Sequence, residues 1–371
     1  MGMMKITEAR KRTQPEKLGQ LPFFNRQRVE TLMADVLGEL TPENRTTSPD
    51  PRIRYEWNQR VMERDPARIP TPALNPWDIP GTYDDPEASD EILRRIDNEF
   101  HSATDLAIRW RTLGDVAAGA GAIRVIKEWA VNYTYKADID KNDNGALVWS
   151  SRWPVLIQAT MMVRDHPDYT PEIEAAMRAS TLNGAHISMA NRADNNTGTW
   201  GIVWEFAAAA LLADRDRFDA AALRWQSNLN NGVKNNIPIH EIYRQGGIIV
   251  GNGKDGLWYS NFFMMALTIA AEWARFGGIW LYDSKCPDGS SFKGLAMQVR
   301  EWTRFPNTYP YNTSSTPTTT GRILPHDDIL HALWPTAESQ WLIDNFPNGN
   351  DRDSSGVRGT VLAYRYRPLW G

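Results

Sequence analysis

Residues 237–275 read IPIHEIYRQGGIIVGNGKDGLWYSNFFMMALTIAAEWAR. A polar, charged segment carrying His240, Glu241, Tyr243 and Arg244 runs into a glycine-rich loop. Tyr259 follows, and then an almost uninterrupted apolar run to Ala274. A run that is apolar around its whole circumference makes a helix for a protein interior, not for its skin. Ser260 and Asn261 are residue types that cap a helix N-terminus. This reading sets Tyr259 at the mouth of a buried helix, close to Arg244 once the loop folds back. A phenol and a guanidinium at the end of a core helix point to a site for an anionic substrate. A plainer reading stands beside it, in which Arg244 pairs with Glu241 and Tyr259 simply packs.

Outward from this stretch the chain repeats itself. Helical spacing covers residues 91–112, and the turn Leu113-Gly114-Asp115 leads into a second helix over 116–135. After a polar loop, residues 149–164 are apolar and helical, and Thr170-Pro171-Glu172 starts another helix with proline at its first position. A polar loop at 191–198 precedes an apolar helix over 199–213. The turn Asp214-Arg215-Asp216 then gives an amphipathic helix over 217–231, and a further amphipathic helix covers 290–304. Apolar helix, short turn, amphipathic helix and longer polar loop recur with a period of roughly 50 residues, which marks a repeat architecture. The expected fold is all-α: an (α/α) toroid or incomplete barrel of helical hairpins. The few short strands would lie at 247–251 and after residue 356. Residues 1–90 read as an N-terminal arm, helical over 26–40, followed by a long wrapping or lid-like loop. Residues 91–371 read as one toroid domain with an irregular C-terminal tail.

The totals narrow the function. A net charge of −4 leaves no bulk positive field for nucleic acid. No run of apolar residues approaches the length of a membrane span. The single cysteine, Cys286, excludes an intrachain disulfide. No His/Cys/Asp group has metal-ligand spacing, and no cofactor motif appears; Gly246-Gly247 and Gly251-Asn252-Gly253 lack the context of a phosphate loop. The 16 tryptophans invite a comparison with sugar-binding clefts, although tryptophan also packs helices. The N-terminus shows no apolar signal segment; a trimmed secreted, a cytoplasmic and a virion-borne protein all fit. Oligomeric state is not legible.

The segments NNTGTW at 195–200, EIYR at 241–244 and GLWYSNF at 256–262, with weaker support from LGD and IKEWA between 113 and 130, together resemble the alginate lyase family of polysaccharide lyases. The resemblance covers roughly residues 95–305. It implies an α/α toroid that cleaves uronate-containing polysaccharides by β-elimination. By position it implies Asn196 as the amide that helps neutralise the substrate carboxylate, Arg244 as its cationic partner and Tyr259 as the catalytic acid/base. The family pattern has Asn-Asn-His at the first motif, and this chain has Thr197 in the histidine's place.

The chemistry asks for these residue types. The C5 proton of a uronate is too weakly acidic until its carboxylate is neutralised. Arginine does that with paired donors and an asparagine amide adds a neutral one. A phenol on one face of the sugar can both take that proton and protonate the departing oxygen. With Thr197 present, His240 and His186 become candidate replacement bases. Asn195, Thr197, Trp200, Tyr243, Trp258, His186 and Arg152 are the candidate substrate-binding residues; Asn195 also reads as a helix cap and Glu241 as the group that orients Arg244. Two other readings remain open: a glycoside hydrolase, which needs two carboxylates across the bond, and a non-catalytic acidic-glycan-binding protein.

Overall fold

The computed structural model describes residues 61–135, 143–185, 194–316 and 326–345. They fall into two compact units, the first within residues 61–185 and the second within residues 194–345. The helix expected over 26–40, the strand expected late in the tail and His186 lie outside the described residues.

In the first unit, α1 spans Pro86–Leu113, α2 Val116–Asn132, α3 Asp143–Val163 and α4 Pro171–Asn183. The turns are those the sequence encodes. Asp85 caps α1 by accepting from the Ala88 amide. Gly114 ends it at φ 66°, a left-handed position where glycine carries no Cβ penalty. Asp115 then caps α2 by accepting from Ala118. Helix α1 packs on α2 and α3, and α2 on α4. The core is an aromatic nest in which Trp149 and Trp153 stack at 4.1 Å and Trp77 meets Trp149 edge-on at 4.8 Å. The described part of the long loop is fastened to this unit. Arg64 pairs with Asp105 at 3.0 Å, Arg68 with Glu99 at 2.5 Å, and the Trp77 indole donates to the Tyr133 carbonyl at 2.6 Å.

The second unit carries α5 (Asn196–Leu212), α6 (Arg215–Gly232), a two-stranded antiparallel sheet of β1 (Val233–Lys234) and β2 (Ile237–Pro238), α7 (Gly256–Phe276), α8 (Phe292–Arg304), a 3-10 turn (Pro306–Thr308), α9 (His326–Leu333) and α10 (Ala337–Asn345). Helix α5 is buried on nearly every side, while α6 buries one face, capped by Asp214. Helix α7 packs against α5 and α8. The expected alternation of interior and amphipathic helices is therefore present within this unit.

Two local expectations are corrected. The short strand falls at 233–238, where Asn235 and Asn236 take φ of 52° and 62° in a tight hairpin turn. Residues 247–251 make only the isolated bridge Gln245–Ile248, and Val250 is left 81% exposed. No partner strand pairs with that stretch among the described residues. The interior helix also starts earlier than its apolar run. Asp255 is its N-cap residue, so Tyr259 sits inside the first turn. Ser260 and Asn261 do not cap; their side chains donate to the carbonyls of Gly256 and Leu257 at 2.7 and 3.0 Å. Hydroxyl and amide groups inside a helix find the preceding turn's carbonyls within reach.

Candidate active site

The site grows from the turn at 241–244. Its backbone closes with the Glu241 amide on the Pro238 carbonyl and the Arg244 amide on the Glu241 carbonyl. The turn then lies directly against the start of α7. The Asp255 amide donates to the Arg244 carbonyl at 3.1 Å, and the Tyr309 hydroxyl donates to the Ile242 carbonyl at 2.6 Å. This approach requires Gly256. A Cβ there would overlap both the Ile242 carbonyl and the Tyr309 hydroxyl.

From this turn a continuous set of contacts runs through four side chains. The backbone amide of Asn196, in the first turn of α5, donates to Glu241 Oε1 at 2.6 Å. The Asn196 side-chain Nδ2 lies 2.9 Å from Oε1 and 3.0 Å from Oε2. Glu241 Oε2 is 3.7 Å from Arg244 Nε, within ion-pair reach but too long for a hydrogen bond. The Arg244 guanidinium carbon stands 4.1 Å from the centroid of the Tyr259 ring, a cation–π contact. Asn196 and Glu241 are each about 1% exposed, and Arg244 and Tyr259 about 8%. Burial pushes the Glu241 carboxyl up to about 7, against the opposing pull of Arg244 and of the Asn196 hydrogen bonds.

The other candidates separate. Asn195 is the N-cap of α5, its side-chain Oδ1 accepting from the Thr197 amide at 2.9 Å and the Gly198 amide at 3.4 Å. Thr197 is half-buried beside Asn196, and its hydroxyl reaches Asn196 Oδ1 at 3.4 Å. His240 is half-buried on the turn next to Glu241. Tyr243 is 40% exposed and meets Tyr311 edge-on at 5.5 Å. Trp258 is partly exposed and lies parallel to Phe262. Trp200 is corrected: it is fully buried, so neither ring face is open to a sugar. Arg152 belongs to the first unit, where it pairs with Asp97 at 3.3 Å. Among the described residues seven tryptophans are fully buried, so much of that excess is packing. Tyr311 escapes a sequence reading, since its low-complexity surroundings have the composition of plain loop.

Two further carboxylates of this unit, Glu205 and Asp255, are engaged. Glu205 lies between Arg217 and Arg224, each at 3.3 Å, and Asp255 Oδ2 accepts from the Gly246 amide at 2.7 Å. Among the described residues no group of three or more His, Cys, Asp or Glu side chains gathers as a metal site would, and no helix is long and apolar enough to cross a membrane.

Comparison with known proteins points the same way. The alginate lyase family profile matches residues 44–309. No curated protein matches the chain. Among solved structures, a tyrosine-to-phenylalanine variant of alginate lyase A1-III complexed with tetrasaccharide is similar over 93% of this chain and 96% of its own, with a TM-score of 0.68 and 15% identity. Alginate lyase A1-III from Sphingomonas species A1 covers 94% and 98% at a TM-score of 0.63 and 14% identity. An alginate lyase from Bacteroides ovatus covers 98% and 99% at a TM-score of 0.54 and 15% identity. At these identities the likeness is one of fold, and it places the chain in the all-α, α/α-toroid class. With the family profile spanning well over half of its length, the chain belongs to the alginate lyase family and is a polysaccharide lyase.

Proposed function

We propose that this lyase cleaves a uronate-containing polysaccharide by β-elimination, with Asn196 and Arg244 at the sugar carboxylate and Tyr259 as the proton carrier. The observation behind this is the unbroken set of contacts from Asn196 through Glu241 and Arg244 to Tyr259. An amide and a guanidinium drawing charge from the carboxylate make the adjacent C5–H acidic enough to remove. The Tyr259 oxygen, as phenolate, accepts that proton. The C–H electron pair forms the C4=C5 double bond as the C4–O bond breaks, and the new phenol returns its proton to the departing oxygen. Atoms and charge balance with no co-reactant. A phenol ordinarily ionises near pH 10, and a cation held against a ring in a partly dry site favours the charged form. With Thr197 in the place of the family's histidine, His240 is the alternative base, to be tested against Tyr259 by substitution. Tyr243 and Trp258, both partly exposed, are the aromatic surfaces we assign to sugar contact. Solved relatives hold a tetrasaccharide, and we carry over an oligosaccharide as the ligand class.

The test is a panel of mannuronate, guluronate and glucuronate polymers. Cleavage by elimination leaves an unsaturated, ultraviolet-absorbing end on each product. Products without that absorbance would point to hydrolysis and end this reading.

A further inference from the structure

Glu241 sits at the centre of the site and has no part in the proposed elimination. Its buried carboxylate accepts from the Asn196 backbone and side chain and faces Arg244 Nε at 3.7 Å. An amide N–H and a guanidinium are also what a uronate carboxylate would seek. In the free protein Glu241 therefore fills, with its own charge, the place the substrate's charge would take.

Charge balance governs the response of the site to an acidic sugar. Ionised Glu241 and Arg244 sum to zero in the free site. A bound uronate carboxylate would leave a buried excess of one negative charge. Two carboxylates sharing one cation in a low-dielectric site resist joint ionisation. The geometry points to Glu241 as a positioning residue that takes up one proton when an acidic sugar docks, releasing the charge of Arg244 to the substrate. The neutral acid still accepts from the Asn196 backbone amide, so α5 stays anchored while the side-chain amide and the ion pair are given up to the sugar. A carboxyl poised at about 7 makes this exchange accessible near neutral pH. The inference rests on the proposed uronate specificity.

Among the described residues, the titratable and charged groups around Glu241 come from its own turn and from the elements packed on it. Asn196 comes from α5, and Arg244 and His240 share its turn. On α7, Tyr259 lies beyond Arg244, and Asp255 holds the Gly246 amide. Behind the turn is Tyr309, whose phenol burial pushes up and keeps neutral. His240 is the neighbouring side chain on the turn that can also bind a proton, so it needs its own control.

Calorimetry in two buffers of different ionisation enthalpy tests this, with a mannuronate or guluronate tetrasaccharide bound to the Tyr259→Phe protein. A tenfold rise in Glu241 proton affinity gives uptake of about half a proton per ligand near pH 7.5. By reciprocity the tetrasaccharide binds about eightfold tighter at pH 6 than at pH 9. Adding Glu241→Gln should abolish the uptake and flatten that profile, whereas Glu241→Asp and His240→Asn should keep both. Binding without uptake, uptake that survives Glu241→Gln, or uptake lost with His240→Asn overturns the inference alone. A tetrasaccharide that does not bind overturns it together with the uronate reading.

Discussion

The Arg244 guanidinium carbon lies 4.1 Å above the ring centre of Tyr259, so cation and phenol form one unit before any substrate arrives. The contact is made by the ring face. Tyr259→Phe therefore keeps the stack and removes the acid/base group. Elimination should fall by about 10² to 10⁴, with tetrasaccharide affinity largely unchanged. Ultraviolet product assays and calorimetry on the same variant check this; turnover near that of the unaltered protein would remove Tyr259 from the proton path.

Arg244→Lys keeps the charge and loses both the planar fork and the stacking surface. Binding of acidic oligosaccharides should weaken about tenfold, near 1.4 kcal/mol, with the loss appearing in KM more than in kcat. Lysine is a cleaner test than alanine, because alanine would strand the buried Glu241 charge and confound recognition with folding. Equal affinities in the two proteins would speak against carboxylate recognition at this position.

His240→Ala asks whether a histidine has taken over as base where Thr197 stands. Since Tyr259 serves both proton steps in the proposed mechanism, the variant should turn over at close to the full rate and keep the same pH–rate profile. A loss of about 10² or more, with affinity intact, would move proton abstraction to His240.

Much of the fold is legible in the sequence, for identifiable reasons. Helix turns announce themselves through Gly114, Asp115, Thr170-Pro171 and Asp214, whose side chains or backbone geometry act within a few residues. Motifs single out Asn196, Arg244 and Tyr259, and the structure brings them into one connected group. The start of α7 is harder to read because Gly253-Lys254-Asp255-Gly256 has loop composition, while Ser260 and Asn261 look like caps and instead bond to carbonyls one turn back. Trp200 misleads because a helix apolar all round has no outward face to read. The double hold of Glu241 on Asn196 spans 45 residues of sequence, beyond the reach of local pattern.

Gly256→Ala tests how tightly the turn must sit on α7. The added methyl meets the Ile242 carbonyl and the Tyr309 hydroxyl, the first of which is backbone and gives way only by moving the turn. Such overpacking typically costs about 1 to 3 kcal/mol. Displacement of the turn also carries Glu241 and Arg244 away from Tyr259. Activity should therefore drop more steeply than stability when both are measured at a temperature where the variant stays folded. Full activity with a lowered Tm would show that the turn tolerates the shift.

Glu241 also makes stability depend on pH in a definite direction. Its carboxyl stands at about 7 in the folded chain against an ordinary 4.5. The folded state thus holds the proton more tightly than the unfolded state. The stabilisation this provides is complete below about pH 4.5 and disappears as pH rises through 7, amounting to about 3 kcal/mol. Other groups add their own pH dependence: burial pushes the Glu174 carboxyl up, but Arg164 and Tyr169 together outweigh that push and hold it below its ordinary value, so its contribution is lost on the acid side of this window. The difference between the parent and Glu241→Gln isolates the one site, because glutamine cannot ionise. Urea unfolding at pH 4.5 and about pH 8 should show the variant gaining on the parent by up to that amount at the higher pH. A difference that stays constant across the two conditions would mean that Glu241 ionises in the folded chain as it does in the unfolded one.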